Sequence, residues 1–286
     1  MAWTLTGSLE DYVATAGEFL RSRPVHHTIQ LTTLESLRAR GALAFGDVAP
    51  LFGWWRPAAA QVSAVLLHTP PYPLLLTELP GQSAGALAEA LAARGRQLPG
   101  VNAQQADAAA FAAAWSRLTG AGAQEFRRTR LFRLGQLRVP VPSPRGAARV
   151  ATTADRDLIE SWFDAFTKEV ADLAGPSRGT VDDRLSYGGL TLWEADGMAV
   201  SLAGVSRPTA GVARVAPVYT PPDHRGLGYG GAITAAVSQA ALDAGAVQVV
   251  LFTDLANPTS NALYQRLGYR PVEDRVVFRF ESQGSS

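Results

Sequence analysis

The stretch Val218-Tyr219-Thr220-Pro221-Pro222-Asp223-His224-Arg225-Gly226-Leu227-Gly228-Tyr229-Gly230-Gly231 runs from an apolar strand pattern through a glycine-dense turn into a helical pattern. Its four glycines leave the turn almost without Cβ atoms, so its N–H groups can converge on one anion, and the helix behind adds the positive end of its dipole. Such a turn suits a phosphate or pyrophosphate. A plain glycine-rich connector has the same composition, so the surroundings must decide. Downstream, Asp254 closes an apolar run, Asn257-Pro258 opens a helix, and Tyr264 sits within that helix with a phenol able to give up a proton.

Two phosphate motifs compete for the turn. Gly226-Leu227-Gly228-Tyr229-Gly230-Gly231 fits G-x-G-x-x-G, and Asp254 lies where a dinucleotide fold keeps its ribose-binding acid. Against that nicotinamide reading, Pro221 to Arg225 separate the strand from the first glycine, and 32 residues follow Asp254, too few for the rest of a doubly wound sheet. No Gly-Lys-Ser/Thr follows the glycines, which excludes a P-loop. The other parse is Arg225-x-x-Gly228-x-Gly230.

On that parse, the strand, the arginine-glycine turn, a helix, a strand and then Asn257-Pro258-Thr259-Ser260-Asn261-Ala262-Leu263-Tyr264-Gln265-Arg266-Leu267-Gly268-Tyr269 together resemble the GNAT superfamily of acyl-CoA-dependent N-acyltransferases. The likeness covers about residues 148 to 283 in order of elements, and the first half only as a degenerate copy. It implies acetyl-CoA as the donor. Arg225, Gly226, Leu227, Gly228, Tyr229, Gly230 and Gly231 would surround the pyrophosphate, chiefly with main-chain N–H groups. The backbone of Val218, Tyr219 and Thr220 would pair with the pantetheine arm where parallel strands splay apart. Asn257 would hydrogen-bond the pantetheine, and Tyr264 would protonate the departing thiolate. Plainer readings stay open: Asn257 before Pro258 is a sufficient N-cap, Tyr264 can be a core aromatic, and Arg225 a surface cation. Asp254 is the first candidate for the base, with Glu169 or Asp172 behind it and water as the alternative relay. His224 is expected to face solvent.

Composition narrows the chemistry further. The chain has no cysteine, which removes disulfides, thiolate metal sites and a cysteine acyl-enzyme, so direct attack in a ternary complex is the natural scheme; no metal site is expected. Lys168 is the only lysine, which leaves almost nothing for Schiff-base chemistry. A formal charge of +1 without a basic stripe lacks the footprint of nucleic-acid binding. The apolar runs fall short of the ~20 residues of a membrane span, and Met1 to Thr6 lack a secretory signal, so no membrane partner and a cytoplasmic location are expected.

The elements that must hold these residues follow from periodicity. Helices are expected over residues 8–41 with a break at Arg23-Pro24, over Ala84–Arg94 and Ala106–Leu118, and over Asp155–Leu173, burying Leu158, Ile159, Trp162, Phe163, Phe166, Val170 and Leu173. A short helix is expected around Val181–Tyr187, and a longer one over Gly230–Ala244, burying Ile233, Val237, Ala240, Ala241 and Ala244. Strands are expected at Leu51–Trp55, Gln61–Thr69 and Pro73–Leu79, at the Leu190–Val205 hairpin with its Asp196-Gly197 turn, and at Val212–Thr220, Val247–Phe252 and Tyr269–Phe280. Glu125–Leu137 reads as an extended hairpin arm. The prolines of residues 139–146 read as a stiff linker between domains 1–138 and 147–286.

Weak repeats, Trp115-Ser116-Arg117-Leu118 against Tyr264-Gln265-Arg266-Leu267, point to an internal duplication in which Pro80-Gly81-Gln82-Ser83 lacks the cradle and Trp115 lacks the acid. The fold class expected is α/β (α+β): two domains, each a mixed, mostly antiparallel sheet flanked by helices with splayed parallel central strands. The leading function is an N-acetyltransferase acting on a small-molecule or peptide amine. A non-catalytic acyl-CoA-binding regulator and a nicotinamide-dependent enzyme are the alternatives.

Overall fold

The elements of the first half recur in the same order in the second. The structure, a computed structural model, describes residues 2–57, 60–170 and 179–281. Its first half runs β1 (Ala2–Thr6), α1 (Leu9–Ser22), α2 (Thr28–Arg40), β2 (Leu51–Arg56), β3 (Ala64–His68), β4 (Leu74–Leu76), α3 (Ser83–Ala92), β5 (Gly100–Gln104), α4 (Gln105–Thr119) and β6 (Gly122–Leu134). The second runs β7 (Ala147–Val150), α5 (Arg156–Glu169), α6 (Thr180–Ser186), β8 (Leu190–Ala195), β9 (Met198–Val205), β10 (Val212–Tyr219), α7 (Tyr229–Asp243), β11 (Gln248–Asp254), α8 (Pro258–Arg266) and β12 (Tyr269–Glu281). This shared order is the internal duplication read from the weak repeats.

Local chemistry accounts for many of the boundaries. The Ser8 hydroxyl caps α1 by accepting from the Asp11 N–H at 3.1 Å, and Gly120 at φ 74° ends α4 in the left-handed conformation. Asp196 and Gly197, at φ 50° and 77°, supply the two positive dihedrals that join β8 to β9 tightly.

The chain folds into two compact units that do not follow the order of the sequence. The first comprises residues up to Arg23, Ile29–Thr129 and the chain from Glu273; the second comprises Pro24–Thr28 and Arg130–Val272. These divisions fall inside β6 and β12, whereas the proline-rich residues 139–146 lie wholly within the second unit. The ladder explains the assignment of the chain's end, since Arg275–Arg279 of β12 pair antiparallel with Gly100–Gln104 of β5.

In the first unit β1, β2, β3 and β4 pair antiparallel in sequence, and β4 pairs parallel with β5. Tyr12, Leu20 and Leu34 of α1 and α2 cover Phe52, Val65 and Leu67. Leu87, Phe111 and Trp115 of α3 and α4 pack with Leu66, Leu74 and Val101. In the second unit β7, β8, β9 and β10 pair antiparallel and β10 pairs parallel with β11. Ile159, Phe163 and Val181 of α5 and α6 pack with Leu190, Leu192 and Leu202, while Ile233, Val237 and Tyr264 of α7 and α8 pack with Ala203, Val215 and Val249. Each unit is thus a mixed, mainly antiparallel sheet between helices.

Several expectations are corrected. β1, β5 and β7 carry no clear alternation and were not foreseen; they are held by pairing, as Trp3 opposite Trp55 shows. β6 is one continuous strand with no hairpin. Leu158 is 36% exposed, so the buried stripe of α5 rests on Ile159 and Phe163. Ala240 and Ala244 are exposed; α7 buries its small residues Gly231, Ala232, Ala235 and Ser238 beside Ile233 and Val237. Leu173 and Asp172 lie outside the described residues.

Candidate active site

The site begins where two parallel strands part. β10 pairs with β11 only from Val212 to Val215, opposite Gln248 to Leu251, while β11 continues to Asp254. On its other edge β10 slips register between Val215 and Val218, so Ala216 and Pro217 together oppose Gly204 of β9. Two residues against one is a β-bulge, which bends a strand, and Pro217 has no N–H for either ladder. The Arg184 guanidinium from α6 donates to the Ala216 carbonyl, and a Cβ on Gly204 would collide with that guanidinium. Beyond the bulge, Val218, Tyr219 and Thr220 run along an opening wedge beside β11. The Tyr219 carbonyl accepts from Ser201 Oγ at 3.0 Å and the Thr220 carbonyl from Arg225 Nε at 2.9 Å. Of the three carbonyls, that of Val218 has no side-chain donor among the described residues.

The glycine turn stands at the end of this strand. Gly226 and Gly228 adopt φ of 78° and 87°, which side-chain-bearing residues rarely do, and Gly228 caps α7. A Cβ at Gly226 would meet nothing within 4 Å, so its role is conformational. At Gly231 a Cβ would press on Leu263 at 3.0 Å, so its role is packing against α8. The N–H groups of Gly226, Leu227, Gly228, Tyr229 and Gly230 reach no acceptor among the described residues, whereas Gly231 N–H is tied to the Gly228 carbonyl at 3.1 Å. Five successive unclaimed donors at a helix start make an anion cradle. The proline-rich stretch forms part of its wall: Pro144 would lie 3.8 Å from a Cβ on Gly228, and Pro140 3.6 Å from one on Gly231. Sequence reading treated these prolines as linker only.

Tyr264 projects from α8 into the core of the second unit, 8% exposed, edge-on to Tyr269 at 6.1 Å. Its hydroxyl has no hydrogen-bond partner among the described residues. Burial pushes the phenol up to about 12, so it stays protonated through neutral pH. By contrast, Tyr269 is engaged, its hydroxyl 2.6 Å from Ser238 Oγ. Asn257 caps α8 through Oδ1, which accepts from Ser260 N–H at 3.0 Å; its Nδ2 keeps two donors uncommitted among the described residues. Asp254 at the strand end accepts from Ala256 N–H at 2.8 Å through Oδ1, so its carboxylate serves the turn.

Arg225 is placed unexpectedly. Its side chain folds back from the cradle, with Nε on the Thr220 carbonyl and Nη2 at 2.7 Å from both carboxylate oxygens of Glu169. Glu169 is therefore held in an ion pair. His224 is half-buried rather than fully in solvent, with its N–H on the Pro221 carbonyl at 2.9 Å. The bulge, Arg184 and Gly204 escaped sequence reading, although Pro217 inside a strand pattern was the available signal.

With this geometry in view, residues 151–269 match the Acetyltransferase (GNAT) family. That segment is a GNAT acyltransferase domain. Solved structures with related folds include a GCN5-related N-acetyltransferase from Sphaerobacter thermophilus, at TM-score 0.62 and 17% identity, covering 98% of this chain and 95% of that one. A GCN5-related N-acetyltransferase from Kribbella flavida superposes at TM-score 0.55 and 22% identity, covering 78% and 87%. A tandem GNAT protein from the clavulanic acid biosynthesis pathway superposes at TM-score 0.54 and 17% identity, covering 99% of both chains. No curated protein matches the chain in sequence.

The GNAT domain's wedge has a counterpart in the first unit that is filled. There β4 and β5 pair parallel through Leu74–Leu75 and Val101–Asn102, and the Arg275 guanidinium lies across both strands. Its Nη2 donates to the carbonyls of Leu76 and Asn102, each at 3.0 Å, and its Nε to Asn102 Oδ1 at 3.0 Å. Glu273 sits 3.3 Å from Nη1, and both side chains are nearly inaccessible, at 4% and 8%. Pro80 to Ser83 offer no run of glycines, and Trp115 is a buried indole at 4% exposure.

Proposed function

We propose that the chain transfers an acetyl group from acetyl-CoA to an amine by direct attack in a ternary complex. The observation that carries this reading is the coincidence of two features: five unclaimed N–H groups from Gly226 to Gly230, and a strand, Val218–Thr220, that leaves its parallel neighbour beside them. The first fits a pyrophosphate and the second an extended arm with amide groups. A dinucleotide-binding sheet would keep its parallel strands together at this point.

In this reading the cradle fixes the donor's phosphates, the Val218–Thr220 backbone aligns the arm, and a main-chain N–H of that segment faces the carbonyl oxygen as negative charge develops there. Acetyl-CoA supplies the activated thioester. The neutral amine nitrogen bonds to the carbonyl carbon, the C–S bond breaks, and Tyr264 gives its proton to the departing sulfur. The amine's proton passes to Asp254 at the strand end, whose Oδ1 accepts from the Ala256 N–H, or to water.

The reading is tested by thermal shift. Acetyl-CoA at ~100 times its dissociation constant should add about 2.7 kcal/mol of stability, seen as a raised melting temperature, while NAD should add none. A shift with NAD alone, or with neither, overturns it.

A further inference from the structure

One cluster beside the wedge has no part in the chemistry above. Along β10, Val218 packs with the α7 and α8 side of the second unit, so strand alternation turns Tyr219 to the α5 side. There Trp162 and Phe166, one helical turn apart, stand 6.0 Å and 6.4 Å from the Tyr219 ring. Glu169, the next turn along α5, faces the same ring and holds Arg225 through both carboxylate oxygens at 2.7 Å. The Arg225 guanidinium carbon lies 5.9 Å from the Tyr219 centroid. A carboxylate and an aromatic face together make a cation site, and a guanidinium from the protein's own cradle loop occupies it. Both partners are open to solvent, at 47% and 42%, and exposed pairs are worth so little that this occupant is exchangeable.

We infer that Glu169 and the Tyr219 face, backed by Trp162 and Phe166, form the recognition site for a second cationic group on the acceptor, so that the acceptor carries an ammonium or guanidinium besides the amine that is acetylated. This rests on the transferase reading. Arg225 holds the site in the free chain. A pyrophosphate on the adjacent N–H groups draws the guanidinium away from Glu169, because a phosphate group accepts its forked donors as well and carries more charge. Donor binding thereby clears the site for the acceptor.

The binding half of the test needs no acetyl-CoA. By calorimetry, 1,5-diaminopentane should bind the Arg225→Ala chain about tenfold more tightly than wild type, the scale of one exposed ion pair plus one cation–π contact. Adding Glu169→Gln should remove that gain, and neutral 1,5-pentanediol should show none. Equal affinity in wild type and Arg225→Ala, a gain that survives Glu169→Gln, or a gain shared by the diol overturns the inference whatever the chain does with acetyl-CoA. In turnover, the ratio of kcat/KM for 1,5-diaminopentane over n-pentylamine should be about tenfold in wild type and near one in Glu169→Gln. A Glu169→Gln chain that slows both amines by one factor points to proton transfer instead and also overturns it. Failure of acetyl-CoA to bind is read separately by thermal shift and counts against the transferase reading.

Discussion

Tyr264 illustrates how a core aromatic can also suit the proton transfer proposed for it. Its ring packs among buried side chains while its hydroxyl stays uncommitted, and burial raises the phenol to about 12. An acid works only while protonated, so a raised pKa extends its working range upward. The Tyr264 contribution should persist through pH 10, the ordinary phenol value, and be lost only as pH approaches 12. Tyr264→Phe keeps the ring and removes the proton, so kcat should fall by ~10²-fold while donor affinity and melting temperature hardly change. Full kcat in that variant, measured where chemistry limits the rate, would leave thiolate protonation to water. Arg225 teaches the opposite lesson: its residue type was legible in the motif, but its direction was not, because its acidic partner lies 56 residues away.

At the scale of elements, the strand-turn-helix of β10 and α7 carries the cradle. Gly228→Asp would place a β-branchless but charged side chain at φ 87° among donors meant for an anion. Acetyl-CoA affinity should collapse, and calorimetry should show no residual site, because the counterpart wedge of the first unit holds Arg275. Residual binding with one-to-one stoichiometry would mean that the first unit has its own donor site. Arg275→Met should cost about 3 kcal/mol in urea unfolding, since it removes the cation beside the buried Glu273 carboxylate and the donor to two strand carbonyls, yet leave acetyl-CoA affinity intact.

These elements also show what the sequence made readable. Capped helices, the Asp196-Gly197 hairpin, the glycine cradle and the Asn257 cap declare themselves within a few residues. β1, β5 and β7 do not, because their strand character comes from partners far along the chain. The plug at Arg275 is likewise a product of pairing between distant segments, whereas the bulge opposite Gly204 lies between the consecutive strands β9 and β10, where Pro217 was its one local signal.

At the scale of the whole molecule, each half depends on strand from the other. The first unit includes β12 from Glu273 onward, and the second includes β6 from Arg130 to Leu134, with Phe132 and Leu134 in its core. Residues 1–138 and 139–286 expressed apart should each fail to give a cooperative unfolding transition, and co-expression should restore one together with the acetyl-CoA thermal shift. A separately made 139–286 that melts cooperatively and responds to acetyl-CoA would show that the exchanged strands are dispensable.

The same exchange sets a timetable for synthesis. All pieces of the second unit have left the ribosome once Val272 has emerged, because its contribution from β6 was made long before. The first unit has most of its chain by Thr129, yet β12 takes the place between β5 and β6 in its sheet. Until residues 273–281 arrive, β5 and β6 have no strand to join them, and the carbonyls of Leu76 and Asn102 lack the guanidinium that satisfies them. The half that is translated first is the half that must wait for residues 273–281.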